Sequence, residues 1–319
     1  MPCDIYIAIN FESCPIISPP SPRKSESIVF QLFLVILGLL AVPARSETLA
    51  ERGGYLVETI AACANCHTPK GPNGPLPDKK LSGGDVIKHQ DFTAVVPNIT
   101  PDPETGIGTW TDDQIVLAIR EGKRPDGSII GPAMPSRFYR KLGDDDVRAI
   151  VAYLRTVPAV HNPVTGKSHY DRPLPDSWGP PLGQVAVPPR DDKVAYGGYL
   201  AGPVARCMDC HTEQHNGAAG AFGAGGKAFY GPWGVSVSAN ITPDHSDGIG
   251  DWSDAEIERA IRSGAARDGH KLFPPMPFTA YTGIRADDMK ALIAYLRSLT
   301  PAVEPAALSG SGQAPEAPH

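Results

Sequence analysis

Two copies of one five-residue pattern constrain this chain more than any other feature of its sequence. Residues 63–67 read Cys-Ala-Asn-Cys-His, and residues 207–211 read Cys-Met-Asp-Cys-His. The C-x-x-C-H spacing is that of the segment to which a c-type haem is attached. Two thiols at this spacing can each form a thioether with a haem vinyl group, and the adjacent histidine then lies beneath the iron. With 6 cysteines and 9 histidines in 319 residues, chance predicts only about 0.003 copies.

Three other uses of a C-x-x-C pair fit the sequence less well. A four-cysteine zinc site would have to join pairs 144 residues apart and would leave both histidines without a role. A thioredoxin-like redox pair requires a βαβ setting, which the sequence pattern lacks. A disulfide within either motif would be strained. We therefore predict two covalently bound haem c groups on Cys63, Cys66, Cys207 and Cys210, with His67 and His211 as axial iron ligands.

Length and charge limit the remaining possibilities. A chain of 319 residues has room for about two domains, each with its own core. The formal net charge of -6 argues against a nucleic-acid partner.

Residues 1–46 have the pattern of an export leader. Arg23 and Lys24 precede an apolar run over residues 28–42, and residues 44–46 supply small side chains for a cleavage site. The apolar run of 15 residues is short for a membrane-spanning helix. An uncleaved segment that associates the protein with the membrane stays open as an alternative. Export predicts a periplasmic location, and bacteria attach haem c in the periplasm.

After the leader, the sequence runs twice through one plan. The repeated segments read Asn-Ile-Thr-Pro-Asp, Gly-Ile-Gly-x-Trp and Ala-Tyr-Leu-Arg, and they begin at residues 98, 106 and 152 in the first copy and at 240, 248 and 294 in the second. A repeat of this length indicates a duplicated domain. We predict a first domain over 47–160, a Pro-rich linker over 161–192 that is long enough to wrap over it, a second domain over 193–303 and a disordered tail over 304–319.

Each unit carries three helical signals, so the predicted fold class is all-α. The first helix precedes the haem motif, and its paired glycines at 53–54 or 197–198 would let it approach the third helix closely. The second helix opens with a capping box and stops at a glycine. The third covers 144–156 or 286–299 and is ended by a proline. Gly202-Pro203 predicts a kink in the first helix of the second copy.

The sixth iron ligand is predicted from a comparison of the five methionines. Met134 and Met276 are equivalent in the repeat, and both lie on Pro-braced loops between the second and third helices. The other methionines lie in the leader, inside a haem motif or on the apolar face of a helix. His270 is a rival on the second loop, although its counterpart is Ser128. Ligation by His and Met raises the reduction potential of a haem.

Two further repeated features leave alternatives open. Trp110 and Trp252 could each donate an indole N–H to a haem propionate, or they could pack at the domain edge. The Asn-Ile-Thr segments match a glycosylation sequon, but a structural turn ahead of the following proline is the better interpretation.

These motifs together resemble those of the multihaem cytochrome c subunits of periplasmic dehydrogenases for alcohols, gluconate and N-heterocycles. The resemblance covers about residues 50–302, and each unit is similar to a class I cytochrome c domain. It implies an electron-transfer protein that is not itself an enzyme. The expected donor is a dehydrogenase subunit, and the expected acceptor is a quinone, an oxidase or another cytochrome. The alcohol and gluconate members carry three haem motifs, whereas this chain has two.

Two enzymatic alternatives remain. A dihaem peroxidase needs one open iron, and the matching Met134 and Met276 argue against it. A dihaem enzyme that oxidises sulfur compounds would want a cysteine-ligated iron. The cysteines outside the motifs are Cys3 and Cys14, which lie in the predicted leader.

Overall fold

The computed structural model describes residues 46–303, apart from residues 216–217, 220 and 232. The predicted leader up to residue 45 and the predicted tail over 304–319 lie outside the described residues. Within the described part of the chain, no helix has the length and hydropathy needed to cross a membrane.

The two units contain the same series of helices. Those of the first unit are α1 (Leu49–Tyr55), a π-helical turn (Leu56–Ile60), α2 (Ala64–His67), α3 (Asp112–Arg120), α4 (Ser136–Tyr139) and α5 (Asp144–Leu154). Those of the second are α6 (Lys193–Tyr199), a π-helical turn (Leu200–Val204), α7 (Cys207–Cys210), α8 (Asp254–Ser263), α9 (Phe278–Tyr281) and α10 (Ala286–Ser298). The predicted second and third helices are thus present, with the third shorter by one or two residues at its end.

Short β-strands lie between the haem motif and the second helix of each unit, and one more lies in the linker, so the all-α expectation is only partly met. The strands are β1 (Lys70–Gly71), β2 (Gly74–Pro75), β3 (Val86–His89), β4 (Phe92–Val95), β5 (His169–Tyr170), β6 (Gln214–His215), β7 (Ala218–Ala219), β8 (Ala228–Gly231) and β9 (Gly234–Val237). All pair antiparallel, as β1–β2, β3–β4–β5, β6–β7 and β8–β9. Strands of two to four residues are too short for an alternating pattern to stand out in the sequence.

The first helix changes its winding in both copies one turn before the haem motif. The Ala61 amide donates to the Leu56 carbonyl over 2.9 Å, and the Ala205 amide donates to the Leu200 carbonyl over 2.8 Å, each five residues back. The sequence predicted a kink at Gly202-Pro203 of the second copy, and the same change of winding also occurs in the first copy. Pro203 lies inside a π turn that the first copy forms without a proline, so the wider turn belongs to the approach to the motif.

Glycine lets the first and third helices touch in each unit, as predicted. A Cβ atom at Gly53 would lie 1.8 Å from the Ala149 carbonyl oxygen, and one at Gly197 would lie 1.9 Å from that of Ala291. No side chain fits at these distances. The contact fixes the helix that leads into the haem motif against α5 in one unit and α10 in the other.

The predicted capping boxes are present at both second helices. Thr111 accepts from the Gln114 amide while the Gln114 side chain accepts from the Thr111 amide, and Ser253 and Glu256 exchange the same bonds. The helices then end at Gly122 and Gly264, whose left-handed φ values are 61° and 63°.

Reciprocal hydrogen bonds join the two units. The Tyr199 hydroxyl donates to Asp146 Oδ2 over 2.7 Å, and the Tyr55 hydroxyl donates to Asp288 Oδ2 over 2.7 Å. Each tyrosine also accepts, over 3.2 Å, from the amide that precedes the other unit's third helix. The four side chains occupy equivalent positions of the repeat, so the same contact is made in both directions. This is the pattern of a pseudo-twofold axis.

An ion pair next to this axis breaks the symmetry. Arg52 binds Asp146 in a bidentate manner, with 2.8 Å from Nε to Oδ1 and 2.9 Å from Nη2 to Oδ2. Both residues are buried, with 7% and 4% of their surface exposed. Burial would lower the pKa of Arg52, but the hydrogen bond and the charge of Asp146 raise it overall. The second unit has Tyr196 at the position of Arg52, and the Arg52 guanidinium donates to the Tyr196 hydroxyl over 3.4 Å.

The hydrophobic core is one cluster with residues from both units.

The linker, which is long enough to wrap over the first unit, makes contacts with it. Its strand β5 extends the β3–β4 hairpin, and the Trp178 indole N–H donates to the Ile130 carbonyl over 3.0 Å, close to the Met134 loop. Val95 is half-buried, and its amide donates to Ser168 of the linker over 3.0 Å. The equivalent Val237 of the second unit is 58% exposed. This hairpin is therefore more open to solvent in the second unit.

The buried ion pair generates a stability prediction. We expect Asp146→Asn to lower the free energy of unfolding by about 4 kcal/mol, because Arg52 then loses its counter-charge inside the protein. The matched control is Asp288→Asn, whose closest partner is the neutral Tyr55 hydroxyl and whose loss we expect to cost about 2 kcal/mol. Chemical denaturation of both variants gives the two values. Equal losses would contradict a special role for the Arg52 pair.

Candidate haem sites

A backbone carbonyl orients each motif histidine. Nδ1 of His67 lies 3.0 Å from the carbonyl oxygen of Pro97, and Nδ1 of His211 lies 2.7 Å from that of Ala239. Because a carbonyl oxygen can only accept, Nδ1 carries the proton and donates, which leaves the Nε2 lone pair for a metal. Burial lowers the pKa of both rings, although the carbonyl bond partly opposes this. The histidines are thus held in the neutral form that ligates iron.

The four motif cysteines are free thiols. Cys63 directly precedes the one-turn helix α2, and Cys66 lies within it. Cys207 and Cys210 are the first and last residues of α7. Burial raises the pKa of the Cys63 and Cys207 thiols to about 12 each, and it also raises that of Cys210. A zinc site needs thiolates, which such surroundings disfavour. Among the described residues, no three His, Cys, Asp or Glu side chains form a metal-binding group.

The two predicted distal methionines lie in equivalent, partly buried positions and pack against the hydrophobic core. Their loops are closed in the same way, by an amide-to-carbonyl bond of 2.7 Å from Ile130 to Gly122 and from Leu272 to Gly264. In both units a one-turn helix, α4 or α9, follows the Met-Pro pair. The two methionine loops therefore match each other, as the two haem motifs do.

His270 differs from these methionines in its surroundings. It is exposed, and its Nδ1 lies 2.6 Å from Asp268 Oδ1 on the same loop. These contacts are those of a solvated loop histidine, which is the interpretation that the sequence favoured.

Trp110 and Trp252 are half-buried and pack against the hydrophobic core. Their backbone carbonyls accept hydrogen bonds from Arg155 and Arg297 of the third helices. These contacts support the packing role that the sequence left open, and the propionate contact stays a prediction.

The Asn-Ile-Thr segments form structural turns. Asn98 Oδ1 accepts from the Thr100 amide over 2.9 Å, and its Nδ2 donates to the Val160 carbonyl over 2.8 Å. Asn240 and Thr242 repeat the turn, with an amide bond of 2.9 Å. The asparagines are only 3% and 7% exposed. A glycosylation acceptor must reach the surface, so the turn interpretation is confirmed.

The carbonyl partners of the histidines and the partly buried Arg206 next to the second motif were not predicted from the sequence. Pro97 and Ala239 each stand one residue before the repeated Asn-Ile-Thr segment. The repeat therefore indicated where these residues lie in the chain, but a backbone carbonyl carries no side-chain signal.

The donor set of each unit fits haem c. An oriented neutral imidazole and two buried thiols belong to one short segment, and a thioether sulfur lies on a braced loop of the same unit. These are the groups that hold a class I haem covalently and through iron.

Comparison with known proteins agrees with this chemistry. The sequence profile of the family described as Cytochrome c matches residues 50–158 and 201–300. The cytochrome c subunit of the alcohol dehydrogenase (quinone) of Gluconobacter oxydans is 34% identical over 295 residues, 85% of this chain and 59% of that protein. The gluconate 2-dehydrogenase cytochrome c subunit of Pantoea cypripedii is 28% identical over 295 residues, 84% of this chain and 64% of that protein.

A diheme cytochrome c-type protein of Cereibacter sphaeroides is 29% identical over 304 residues, which cover 89% of this chain and 92% of that protein. The chain thus spans about three fifths of the two dehydrogenase subunits and most of the diheme relative. The resemblance seen in the motifs is confirmed. Because the profile matches both units over more than half of the chain, the protein belongs to the cytochrome c family, whose members hold covalently bound haem c.

Proposed function

We propose that the protein is a periplasmic dihaem c-type cytochrome that carries electrons in a respiratory chain. One haem is attached to Cys63 and Cys66, and the other is attached to Cys207 and Cys210. His67 and Met134 would hold the iron of the first haem, and His211 and Met276 would hold that of the second. The observation that carries the proposal is the histidine-to-carbonyl bond, which recurs in both units.

The residues of the chain have separate tasks at each site. The Pro97 or Ala239 carbonyl holds the imidazole in the tautomer that presents Nε2, and a hydrogen bond of this kind also raises the basicity of the ligand. The methionine of the loop would occupy the remaining ligand position of the iron and so exclude water and other ligands. When bound, haem c supplies a one-electron couple of its iron. With the indoles of Trp110 and Trp252 at the domain edge, a hydrogen bond to a propionate would orient the porphyrin.

The electron donor is a periplasmic dehydrogenase subunit, and the acceptor is a quinone, an oxidase or another cytochrome. The names of the alcohol and gluconate dehydrogenase relatives support such a donor. The leader pattern in residues 1–46 supports export, and an uncleaved leader would place the protein at the membrane. Two equivalent methionine loops speak against a peroxidase, which needs one open iron.

The first prediction concerns haem content. The protein expressed with the haem-attachment machinery should hold two haems per chain, and both should resist acid–acetone extraction because they are bound by thioethers. Pyridine haemochrome absorbance against protein concentration measures the ratio. Changing both cysteines of one motif to alanine should leave one haem. A ratio of one in the wild type would contradict the two-site proposal.

A second prediction tests the methionine ligands. With both irons closed, the reduced wild type should bind CO slowly and to a small extent, as followed by the Soret band. Met134→Ala and Met276→Ala should each open one iron, so that each variant binds about one CO per chain.

The matched control for this experiment is Met289→Leu. Met289 is 1% exposed on α10, and its replacement by leucine keeps the volume of the core. We expect this variant to exclude CO as the wild type does. Rapid CO binding by the wild type would count against closed sites and would favour the peroxidase alternative.

A further inference from the structure

Arg206 stands directly before the second haem motif in an uncommon backbone conformation. Its φ is 60°, in the left-handed region, and the equivalent Ala62 of the first unit has a φ of 49°. Both units therefore make the same turn into the motif, but only the second unit places a charged side chain there. The left-handed backbone conformation does not by itself require an arginine, because Ala62 adopts it in the first unit.

The Arg206 side chain reaches across to the first unit. Its guanidinium carbon lies 5.8 Å from the centre of the Tyr139 ring. Tyr139 is on α4, which packs against the π turn of the second unit, and the equivalent Tyr281 is on α9, which packs against the π turn of the first. The Tyr281 hydroxyl donates to the Ala205 carbonyl over 3.5 Å. Arg206 thus lies in the contact between the units, beside a pair of equivalent buried tyrosines.

The charge of Arg206 is only partly compensated. Nε is buried and has no hydrogen-bond partner among the described residues. The nearest carboxylate is that of Asp209, with Oδ2 3.8 Å from Nη1, beyond hydrogen-bond distance. An arginine cannot lose its proton in a protein, so the positive charge is permanent.

This one charge acts on both haem motifs. Arg206 directly precedes Cys207 of the second motif, and its charge also lowers the pKa of Cys63 in the first motif, against the larger effect of burial. Cys63 and Cys207 both pack against the hydrophobic cluster that contains Tyr139 and Tyr281. The thioether-forming sides of the two motifs therefore flank Arg206.

We propose that Arg206 sets the reduction potentials of both haem sites from its position between the two attachment motifs. Reduction adds one negative charge to a haem, and a fixed positive charge in a partly buried contact stabilises that state. Because one arginine serves two sites, its charge raises both potentials. This inference rests on the proposed dihaem function.

A redox titration followed by absorption tests the proposal with three variants. Arg206→Gln removes the charge and keeps most of the length, Arg206→Ala copies the residue of the first unit, and Arg206→Lys keeps the charge. For a unit charge about 10 Å away at an effective dielectric constant of about 20, Coulomb's law gives a change of roughly tenfold in each reduction equilibrium. Tenfold corresponds to 59 mV for one electron.

We expect both midpoints to fall in Arg206→Gln and Arg206→Ala and to stay near the wild-type values in Arg206→Lys. Haem content is measured on every sample first. If the proposal of two haems is wrong, this measurement shows it separately, as fewer than two haems per chain. Unchanged midpoints in the glutamine variant with both haems attached would overturn the proposal. A merely structural arginine would alter the melting temperature in all three variants without moving the potentials.

Asp209→Asn provides an independent measurement. Asp209 is partly exposed at the surface, so its replacement does not disturb a buried contact. Asp209 directly precedes Cys210 in the second motif, and its carboxylate carries the charge opposite to that of Arg206. Removing that negative charge should raise the midpoint of the second haem. A fall or no change would contradict the electrostatic account.

Discussion

The hydrogen bond from the motif histidine to a backbone carbonyl is the interaction on which each proposed haem site depends. It joins His67 to Pro97 and His211 to Ala239, over 30 and 28 residues of chain. The carbonyl decides which ring nitrogen is free, and it ties the haem motif to the buried Asn-Ile-Thr turn that follows. The strands and glycines between these points serve to bring the chain back to the motif.

The two sites are built into one hydrophobic core. The reciprocal bonds between Tyr55 and Asp288 and between Tyr199 and Asp146 connect the first helix of each unit with the third helix of the other. The first helix of each unit leads into its haem motif, so the contact that joins the units also relates the positions of the two sites. The asymmetry lies at the Arg52–Asp146 ion pair, at Arg206 and in the linker, which covers the first unit and leaves the equivalent hairpin of the second more open. Two sites with equivalent candidate ligands therefore have different surroundings.

Much of this arrangement could be predicted from the sequence because its causes are local or repeated. Gly53 and Gly197 had one plausible use, and the capping boxes at Thr111 and Ser253 specify their helices within four residues. The hairpins could not be predicted, because strands of two to four residues carry almost no periodicity. The π turn of the first unit was also missed, because no Gly-Pro pair marks it in the sequence. Arg206 was overlooked because its role depends on Tyr139 of the other unit, which is far away in the chain.

The central claim is that the two units hold equivalent haems closed by methionine, and proton NMR of the reduced protein tests it most directly. A methionine methyl group bound to haem iron lies over the porphyrin ring, and the ring current shifts its signal far upfield. The account predicts two such signals, one lost in Met134→Ala and the other in Met276→Ala. A single shifted signal, or two signals that survive both substitutions, would contradict it.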